Sequence, residues 1–343
     1  MNLNVGNIIK IILKTMFPRA MWNMLRTIKS NINYAKEKIV VTIICLLVKR
    51  ILQNRGFAKL FKTFEKNGFH ILPADYYSPI PNTHELLQNK QLWFREANLN
   101  NINFNKQEQL RLNGCFSEFQ KEFELLPSFS DLMLQGYGSG YGEIEALILH
   151  CFIRYSKPRV VIEVGAGVST FFSSTALSMN RKDGISSVHV CIEPDPYQKL
   201  RSIPFVHSIV EKKVQEVDIK FFQQLNENDI LFIDSSHTVK IGSDVNYLIL
   251  EILPALKKGV IIHFHDIPFP YTFPYPDFWI FERLMFWQEP VLLKAFLTNN
   301  NVFEIIYCSS YLHFKNPGLL KSTFPKYDNI KHFPSSIWIR KIL

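Results

Sequence analysis

The sequence of 343 residues predicts an α/β fold in which a parallel sheet binds a ligand along one edge. Two observations support this prediction. Arg159–Phe172 reads as a buried strand that runs through a glycine turn into a helix, and three later apolar runs each end in polar residues. Because open α/β sheets bind ligands at the carboxyl ends of their strands, polar residues repeated at these ends indicate one binding site.

The glycine turn is the first of these polar strand ends. Glu163 closes the apolar run, Gly165 and Gly167 form the turn, and Ser169 opens the helical segment. Glycine allows backbone conformations closed to other residues and close approach of a ligand, and the N–H groups of a helix start point toward it. A dinucleotide fingerprint needs a third glycine where Thr170 stands, and a P-loop needs a Gly-Lys-Ser/Thr ending, so both are disfavoured.

The second predicted strand, Val188–Ile192, ends in Glu193. An acidic residue at the tip of the second strand, about 20–30 residues after the glycine turn, is where Rossmann-like sites hold a ribose diol. A carboxylate accepts hydrogen bonds from both hydroxyls, which a neutral Ser or Ala cannot do. Asp195 is the alternative if the register slips by two residues, and its other role would be to cap the following helix.

Two further apolar runs have polar ends of the same kind: Asp229–Ile233 precedes Asp234 and His237, and Gly259–Phe264 precedes His265 and Asp266. One such strand end is weak support for a site, whereas four in chain order are strong support.

At these motifs the chain resembles the class I S-adenosylmethionine (SAM)-dependent methyltransferases. The motifs are IEVGAG (Ile162–Gly167), CIEP (Cys191–Pro194), LFIDSSH (Leu231–His237) and LPALKKGVIIHFHDI (Leu253–Ile267). The resemblance runs from about Gly136 to the C-terminus and is closest to a bacterial branch associated with polysaccharide and small-molecule biosynthesis. It implies a seven-stranded, mostly parallel sheet with a reversed last strand, helices on both faces, SAM as cofactor, and a small-molecule or glycan acceptor.

The resemblance also implies roles for the strand-end residues in cofactor binding. Glu163 would hold the methionine amino group, directly or through water, and Gly165 and Gly167 would admit the cofactor against the backbone. Glu193 would accept both ribose hydroxyls. Two further residues at the same edge of the sheet are expected to contact the cofactor, Ser169 and Asp234.

The chemistry of the acceptor depends on the remaining residues. A hydroxyl is a poor nucleophile until its proton is removed, and histidine titrates near neutral pH, so His237 or His265 is expected to act as the base, with Asp234 beside it. Alternatively, Asp234 and Asp266 bind Mg²⁺ or another divalent cation that acidifies the hydroxyl. The match to the family's metal sites is partial, because those sites usually have another carboxylate where His265 stands.

The sequence predicts four parts of the chain: a basic, apolar helical extension (1–66), a helical linker or cap (67–135), the methyltransferase domain (136–343) and within it an acceptor-side insertion (268–296). Gly136–Gly142 is interpreted either as a mobile lid over the cofactor or as a flexible linker, with Tyr141 as its candidate contact residue. Secondary structure outside the motifs is predicted as follows: helices in Asn82–Leu126, Asp195–Ile203 and Ser243–Leu256, a third strand in Phe205–Val214, and terminal antiparallel strands at Val302–Tyr307 and Ser335–Ile342, separated by a long loop.

The net charge of +9 lies in the extension. Residues 1–66 contain 13 Lys or Arg and 2 Asp or Glu, so the rest of the chain is slightly acidic. Nucleic-acid methyltransferases usually carry basic surface beside the active site, and the third run here ends in DSSH rather than in a Pro-Pro-aromatic pattern. Nucleic acid is therefore not an expected partner.

The extension carries an apolar run, Ile39–Val48, between cations. This run is too short for a bilayer, which requires about 20 residues. Two interpretations of the extension stay open. It is either a basic amphipathic helix that lies on an anionic membrane surface or a helical cap that packs on the domain. The five cysteines are scattered without a CxxC spacing, which argues against disulfides. A cytoplasmic protein is expected, with peripheral contact at the inner face of the membrane as a further possibility.

Three other functions stay open. An N-methyltransferase would share every feature except the acceptor. A nicotinamide-dependent oxidoreductase would share the sheet and the ribose carboxylate, but Thr170 in place of the third glycine argues against it. A non-catalytic SAM-binding scaffold would need no base, yet the DSSH and HFHD strand ends would be costly to bury without a use.

Overall fold

The structure is a computed structural model that describes residues 19–52, 57–138, 140–273 and 275–343. The chain divides into two units between Asn82 and Thr83. In the first unit, the predicted extension contains helices α1 (Arg19–Leu52) and α2 (Phe57–Lys66). Residues 1–18 of the extension lie outside the described ranges. Among the described helices, none is long and apolar enough to cross a membrane.

The second unit is built on one seven-stranded sheet. Its strands are β1 (Val160–Val164), β2 (Val188–Ile192), β3 (Ser208–Val210), β4 (Ile230–Ile233), β5 (Ile261–Phe264), β6 (Phe303–Cys308) and β7 (Ile337–Lys341). They lie in the order β3-β2-β1-β4-β5-β7-β6. This confirms the predicted α/β architecture and the strands expected at the motifs.

The directions of the strands agree with the sequence analysis. Strands β1 to β5 are parallel, whereas β7 is antiparallel to both of its neighbours, β5 and β6. The reversed last strand is therefore confirmed. The terminal strands expected at Val302–Tyr307 and Ser335–Ile342 are antiparallel to each other, as predicted, and β7 inserts between β5 and β6.

Helices cover both faces of the sheet, which is why the central strands are apolar along their whole length. In the second unit, the helices that precede β2 are α3 (Thr83–Gln88), α4 (Lys90–Trp93), α5 (Lys106–Ser117), α6 (Gln120–Phe123), α7 (Phe129–Leu134), α8 (Glu143–Ser156) and α9 (Val168–Lys182). Those that follow β3 are α10 (Ile219–Phe222), α11 (Asp244–Tyr247), α12 (Leu253–Ala255), α13 (Glu289–Leu297), α14 (Ser309–Lys315) and α15 (Pro317–Thr323). Alternate strand residues such as Val161 and Ile162 enter two separate cores.

The predicted helix over Ser243–Leu256 is present with one irregularity. A π-helical turn, Leu248–Ile252, joins α11 to α12. Pro254 has no N–H to donate to the carbonyl of Leu250, so the regular helical hydrogen bond is lost at that point.

Three local predictions were wrong. The helix expected over Asp195–Ile203 is a 3-10 turn at Gln198–Ser202, and residues 94–105 interrupt the helices expected from Asn82 to Leu126. The interval between β6 and β7 holds α14 and α15 rather than a plain loop. Pro317 is the first residue of α15, a position at which a proline loses no helical hydrogen bond.

Candidate active site

A cleft of about 760 Å³ lies at the carboxyl edge of the sheet, a volume suited to a small-molecule ligand. Seven of the strand-end residues singled out in the sequence line it: Gly165, Gly167, Glu193, Asp234, His237, His265 and Asp266. They follow β1, β2, β4 and β5, so the parallel strands bring together residues that are up to about a hundred positions apart in the chain.

The two positions of the first turn require glycine for different structural reasons. Gly165 has φ +80°, and a Cβ built on it would lie 1.8 Å from the backbone oxygen of Asp234. A side chain at this position would therefore separate the ends of β1 and β4. Gly167 has an extended φ of −148°, and a Cβ there would meet no atom within 4 Å. It leaves free space in the cleft at the start of α9.

Glu193 lies beside the glycine turn. The backbone N–H of Ala166 donates to its Oε2 at 3.1 Å, and the N–H of Asp195 donates to its Oε1 at 2.9 Å. The carboxylate is thus fixed in the cleft with further lone pairs free to accept hydrogen bonds. Asp195 is exposed, so Glu193 is the acidic residue that the fold places at the site.

Glu163 and Ser169 do not line the cleft. The Glu163 carboxylate is fully buried; it accepts hydrogen bonds from Ser169 Oγ at 2.7 Å and Thr170 Oγ1 at 3.0 Å. On its other oxygen it accepts from His189 Nε2 at 2.8 Å. The carboxylate therefore fastens the start of α9 to β1 and β2 from beneath the glycine turn.

His237 stands at the centre of the catalytic candidates. Its Nδ1 donates to Oε2 of the fully buried Glu289 at 2.7 Å. Its Nε2 lies 3.3 Å from Asp234 Oδ1 and 3.6 Å from Asp266 Oδ2. Both His237 and Asp266 have left-handed backbones, with φ +56° and +54°, a strained conformation that often occurs at functional sites.

These carboxylates control the protonation of the site. Burial on its own lowers the pKa of His237, but the hydrogen bonds and negative charges of Asp234, Glu289 and Asp266 outweigh it and raise that pKa well above the usual value. Burial raises the pKa of Asp234, but His265 and His237 bring it below its usual range. The Asp234 carboxylate is therefore ionised, and His237 is a strong proton acceptor whenever its ring is neutral.

The floor of the cleft is formed by Glu145, His265 and Tyr141, which are all buried. The Tyr141 ring centroid lies 4.6 Å from that of His265, and burial raises the pKa of the phenol well above its usual value. Tyr141 belongs to the glycine-rich segment that was interpreted as a lid or linker. Its flanking Gly140 and Gly142 also line the cleft, whereas Ser139 lies outside the described residues.

Several site residues escaped the sequence analysis. Glu289 and the cleft-lining Trp279 lie in the predicted insertion, where no spacing distinguishes them from packing residues. Trp287, in the same insertion, also lines the cleft, and its ring centroid is 4.7 Å from that of His237. A second pocket of about 470 Å³ adjoins the cleft and shares Glu193 and Asp234 with it.

The charge of the cleft is strongly asymmetric. Among the described lining residues, carboxylates come from Glu143, Glu145, Glu193, Asp234 and Asp266, whereas Lys331 is the one Lys or Arg. Such a cleft attracts positively charged ligands.

Comparisons with known proteins agree with the motifs. A family model described as a methyltransferase domain matches residues 162–267. An uncharacterized protein of Archaeoglobus fulgidus is 30% identical over 168 residues, which are 46% of this chain and 75% of that protein.

Two solved structures were also matched. The O-methyltransferase TomG from Streptomyces achromogenes, involved in tomaymycin synthesis and solved in complex with SAM, has a TM-score of 0.37 at 11% identity, over 76% of this chain and 96% of that one. An O-methyltransferase from Bacillus cereus in complex with SAH has a TM-score of 0.36 at 12% identity, over 67% and 99%.

Proposed function

Because the chain belongs to the class I SAM-dependent methyltransferases, we propose that it transfers the methyl group of SAM to a hydroxyl of a small molecule or glycan. The observation that carries this proposal is the arrangement around His237. Asp234, Asp266 and Glu289 all lie against its ring and form a titratable network with it, whereas Glu193 and the open Gly167 line the same cleft outside that network.

The residues outside that network fit the cofactor. Glu193 offers a fixed carboxylate to the ribose hydroxyls, and Gly167 leaves room for a ligand against the start of α9. The excess of carboxylates suits a cationic ligand. When bound, SAM supplies an electrophilic methyl group on a positively charged sulfur. The main task of the protein is to hold the acceptor in line with that group in a cleft from which water is excluded.

His237 is proposed as the group that takes the proton of the acceptor hydroxyl. Glu289 fixes Nδ1, so that Nε2 faces the carboxylates in the cleft. This pairing of a buried carboxylate with a histidine fixes the tautomer and orientation of the ring. His265 is less well placed for this role, because its Nε2 is 3.8 Å from Asp266 Oδ1 and its Nδ1 has no hydrogen-bond partner.

A divalent cation is the second candidate for activating the acceptor. Asp234, His237 and Asp266 offer ligand atoms that all lie within 4.8 Å of one another. Two carboxylates suit Mg²⁺, which prefers oxygen ligands. A requirement for added Mg²⁺ that is lost in Asp266→Asn would favour this arrangement over the base.

The aromatic wall of the cleft indicates the class of acceptor. The rings of Trp279 and Trp287 stand 4.8 Å apart, tilted by 36°, and both line the cleft. Flat aromatic surfaces bind the apolar faces of sugar rings and aromatic rings. We therefore propose an acceptor that presents its hydroxyl on such a ring.

The N-terminal helix supports a further proposal, contact with an anionic membrane surface. Residues Ile39, Val41, Ile43, Leu46 and Leu47 of α1 are 52–62% exposed. Cations flank this apolar run, and the last turn of the helix carries Lys49 and Arg50. Helices of this kind bind anionic lipid through their apolar and their basic side chains. Sedimentation with vesicles of phosphatidylglycerol, but not of phosphatidylcholine, is expected, and it should be lost in the double variant Ile43→Glu, Leu47→Glu.

Calorimetric titration tests the cofactor and hence the main proposal. SAM and S-adenosylhomocysteine should bind, with and without Mg²⁺, and Glu193→Ala should weaken both by about 10-fold or more, as expected for lost hydrogen bonds to a charged group. Asp195→Ala is the matched control and should bind normally. Binding of NAD alone would point to an oxidoreductase, and binding of none of the three to a scaffold. Mass spectrometry of methylated products then separates oxygen from nitrogen acceptors.

A further inference from the structure

A second group of possible metal ligands lies beneath the cleft, apart from Asp234 and His237. Glu145, from the first turn of α8, meets His263 and His265 of the β5 segment. The three side chains are at most 3% exposed, and each offers a ligand atom within 4.8 Å of the other two. The two histidines are two positions apart on an extended strand, which places them on the same face.

Several polar atoms of these side chains have no hydrogen-bond partner among the described residues. Glu145 Oε2, His265 Nδ1 and both ring nitrogens of His263 are buried without a hydrogen-bond partner. Buried polar atoms are rarely left without a partner in native proteins. Four such atoms in one small volume indicate that something else occupies the space between them.

We propose that Glu145, His263 and His265 bind a first-row transition-metal ion of the zinc class. Two imidazoles and one carboxylate are the ligands that hold zinc in open, three-ligand sites. Ligand atoms about 2.0–2.2 Å from the metal stand about 3.3–3.6 Å apart, so small rotations of the side chains would close the site. The nitrogen-rich set distinguishes it from the oxygen-rich Asp234 and Asp266, which suit Mg²⁺.

The surroundings orient the carboxylate for this role. Ser309 Oγ donates to Glu145 Oε1 at 2.7 Å and leaves Oε2 free. The backbone N–H of Ser336 in turn donates to Ser309 Oγ at 2.8 Å. Metal ligands are commonly held by such outer hydrogen bonds. His263 is also fixed, because its ring stacks on Phe232 at 4.2 Å and an interplanar angle of 8°.

The remaining coordination position would face the cleft. Glu145 and His265 line the cleft, whereas His263 lies behind them. Water or an oxygen of a bound small molecule would therefore complete the coordination. This inference does not depend on methyl transfer, since the site would bind its metal in the absence of SAM and acceptor.

Cobalt substitution tests the site. Chelator-treated protein is titrated with Co²⁺ in the presence of Mg²⁺, and visible absorption reports coordination. One Co²⁺ per chain with the intense bands of four- or five-coordinate cobalt is expected. Affinity should fall by at least about 100-fold in Glu145→Gln and His263→Phe, whereas Asp234→Asn should bind as wild type. Far-UV circular dichroism and thermal melting show whether each variant is folded.

A measurement on the wild-type protein tests the proposal even if the variants do not fold. X-ray absorption of the cobalt protein should show two imidazole ligands. The proposal is overturned if Co²⁺ binds only in the millimolar range, if the bands are weak and octahedral and disappear in Asp234→Asn alone, or if fewer than two imidazoles are counted. Because SAM titration is a separate experiment, failure here would leave the methyltransferase proposal standing.

Discussion

His237 and Glu289 are joined by a hydrogen bond of 2.7 Å between Nδ1 and Oε2. Glu289 is fully buried at the start of α13, and its backbone N–H also donates to the carbonyl of His237 at 3.2 Å. The insertion after β5 is thus tied to the strand end after β4 by both backbone and side chain. This contact fixes which nitrogen of His237 faces the cleft.

Replacing Glu289 should therefore reduce catalysis without affecting cofactor binding. In Glu289→Gln the ring loses the carboxylate that orients it, so we expect kcat to fall by at least about 10-fold. The fall should be smaller than the roughly 10²–10⁴-fold loss expected for His237→Ala. The Kd for SAM, measured by calorimetry, should change little in both variants. A kcat equal to wild type in Glu289→Gln would show that His237 needs no such orientation.

The two glycines of the first turn should respond differently to alanine. Gly165→Ala places a Cβ against the Asp234 backbone and also forces a left-handed φ on alanine, so it should lower the free energy of unfolding by at least about 2 kcal/mol. Gly167→Ala meets open space and should keep its stability while it binds SAM more weakly. Chemical denaturation and calorimetry on both variants measure the two quantities. Equal losses of stability would contradict this distinction.

A partly buried ion cluster makes stability depend on acidic pH. Glu122 accepts hydrogen bonds from His150 Nε2 at 2.7 Å and Arg154 Nε at 2.9 Å. Burial alone would raise the pKa of Glu122, but these partners lower it from 4.5 to about 2. Because the folded pKa is depressed, the stabilisation is complete above pH about 4.5 and is lost as the pH falls toward 2.

The variant Glu122→Gln isolates this contribution. It should be less stable than wild type by about 1–2 kcal/mol at neutral pH, and the difference should shrink as the pH falls from about 4.5 to 2. Urea denaturation at several pH values measures it. Glu124→Gln, at an exposed position nearby, is the control and should follow the wild-type curve. A difference that stays constant with pH would argue against the cluster.

The sequence predicted those parts of the fold that depend on local patterns. Strand β2 begins and ends where the apolar run does, and the positions of Glu193 and Asp234 follow from strand ends alone. Glu289 and Glu145 could not be found in this way, because they reach the site through tertiary packing of α13 and α8. His263 was visible two residues before His265, but the neighbouring carboxylate that makes it a candidate ligand lies 118 positions earlier in the chain.

Replacing Glu163 tests whether its carboxylate contacts the cofactor directly or only supports the glycine turn from beneath. The resemblance implies contact with the methionine amino group, whereas the structure buries the carboxylate among Ser169, Thr170 and His189. In Glu163→Gln one acceptor oxygen becomes a donor, so hydrogen bonds within the buried network are lost. We expect the free energy of unfolding to fall by about 1–3 kcal/mol, while folded protein binds SAM with an affinity within about 3-fold of wild type.

Glu193→Ala is the matched variant for which we expect the opposite result, because the Glu193 carboxylate lies in the cleft and is only partly buried. It should weaken SAM binding strongly and change stability little. Calorimetry and urea denaturation on the two variants give a direct comparison. If Glu163→Gln instead lost about 10-fold or more in affinity with unchanged stability, Glu163 would bind the cofactor itself, and the glycine turn would have to open to let it do so.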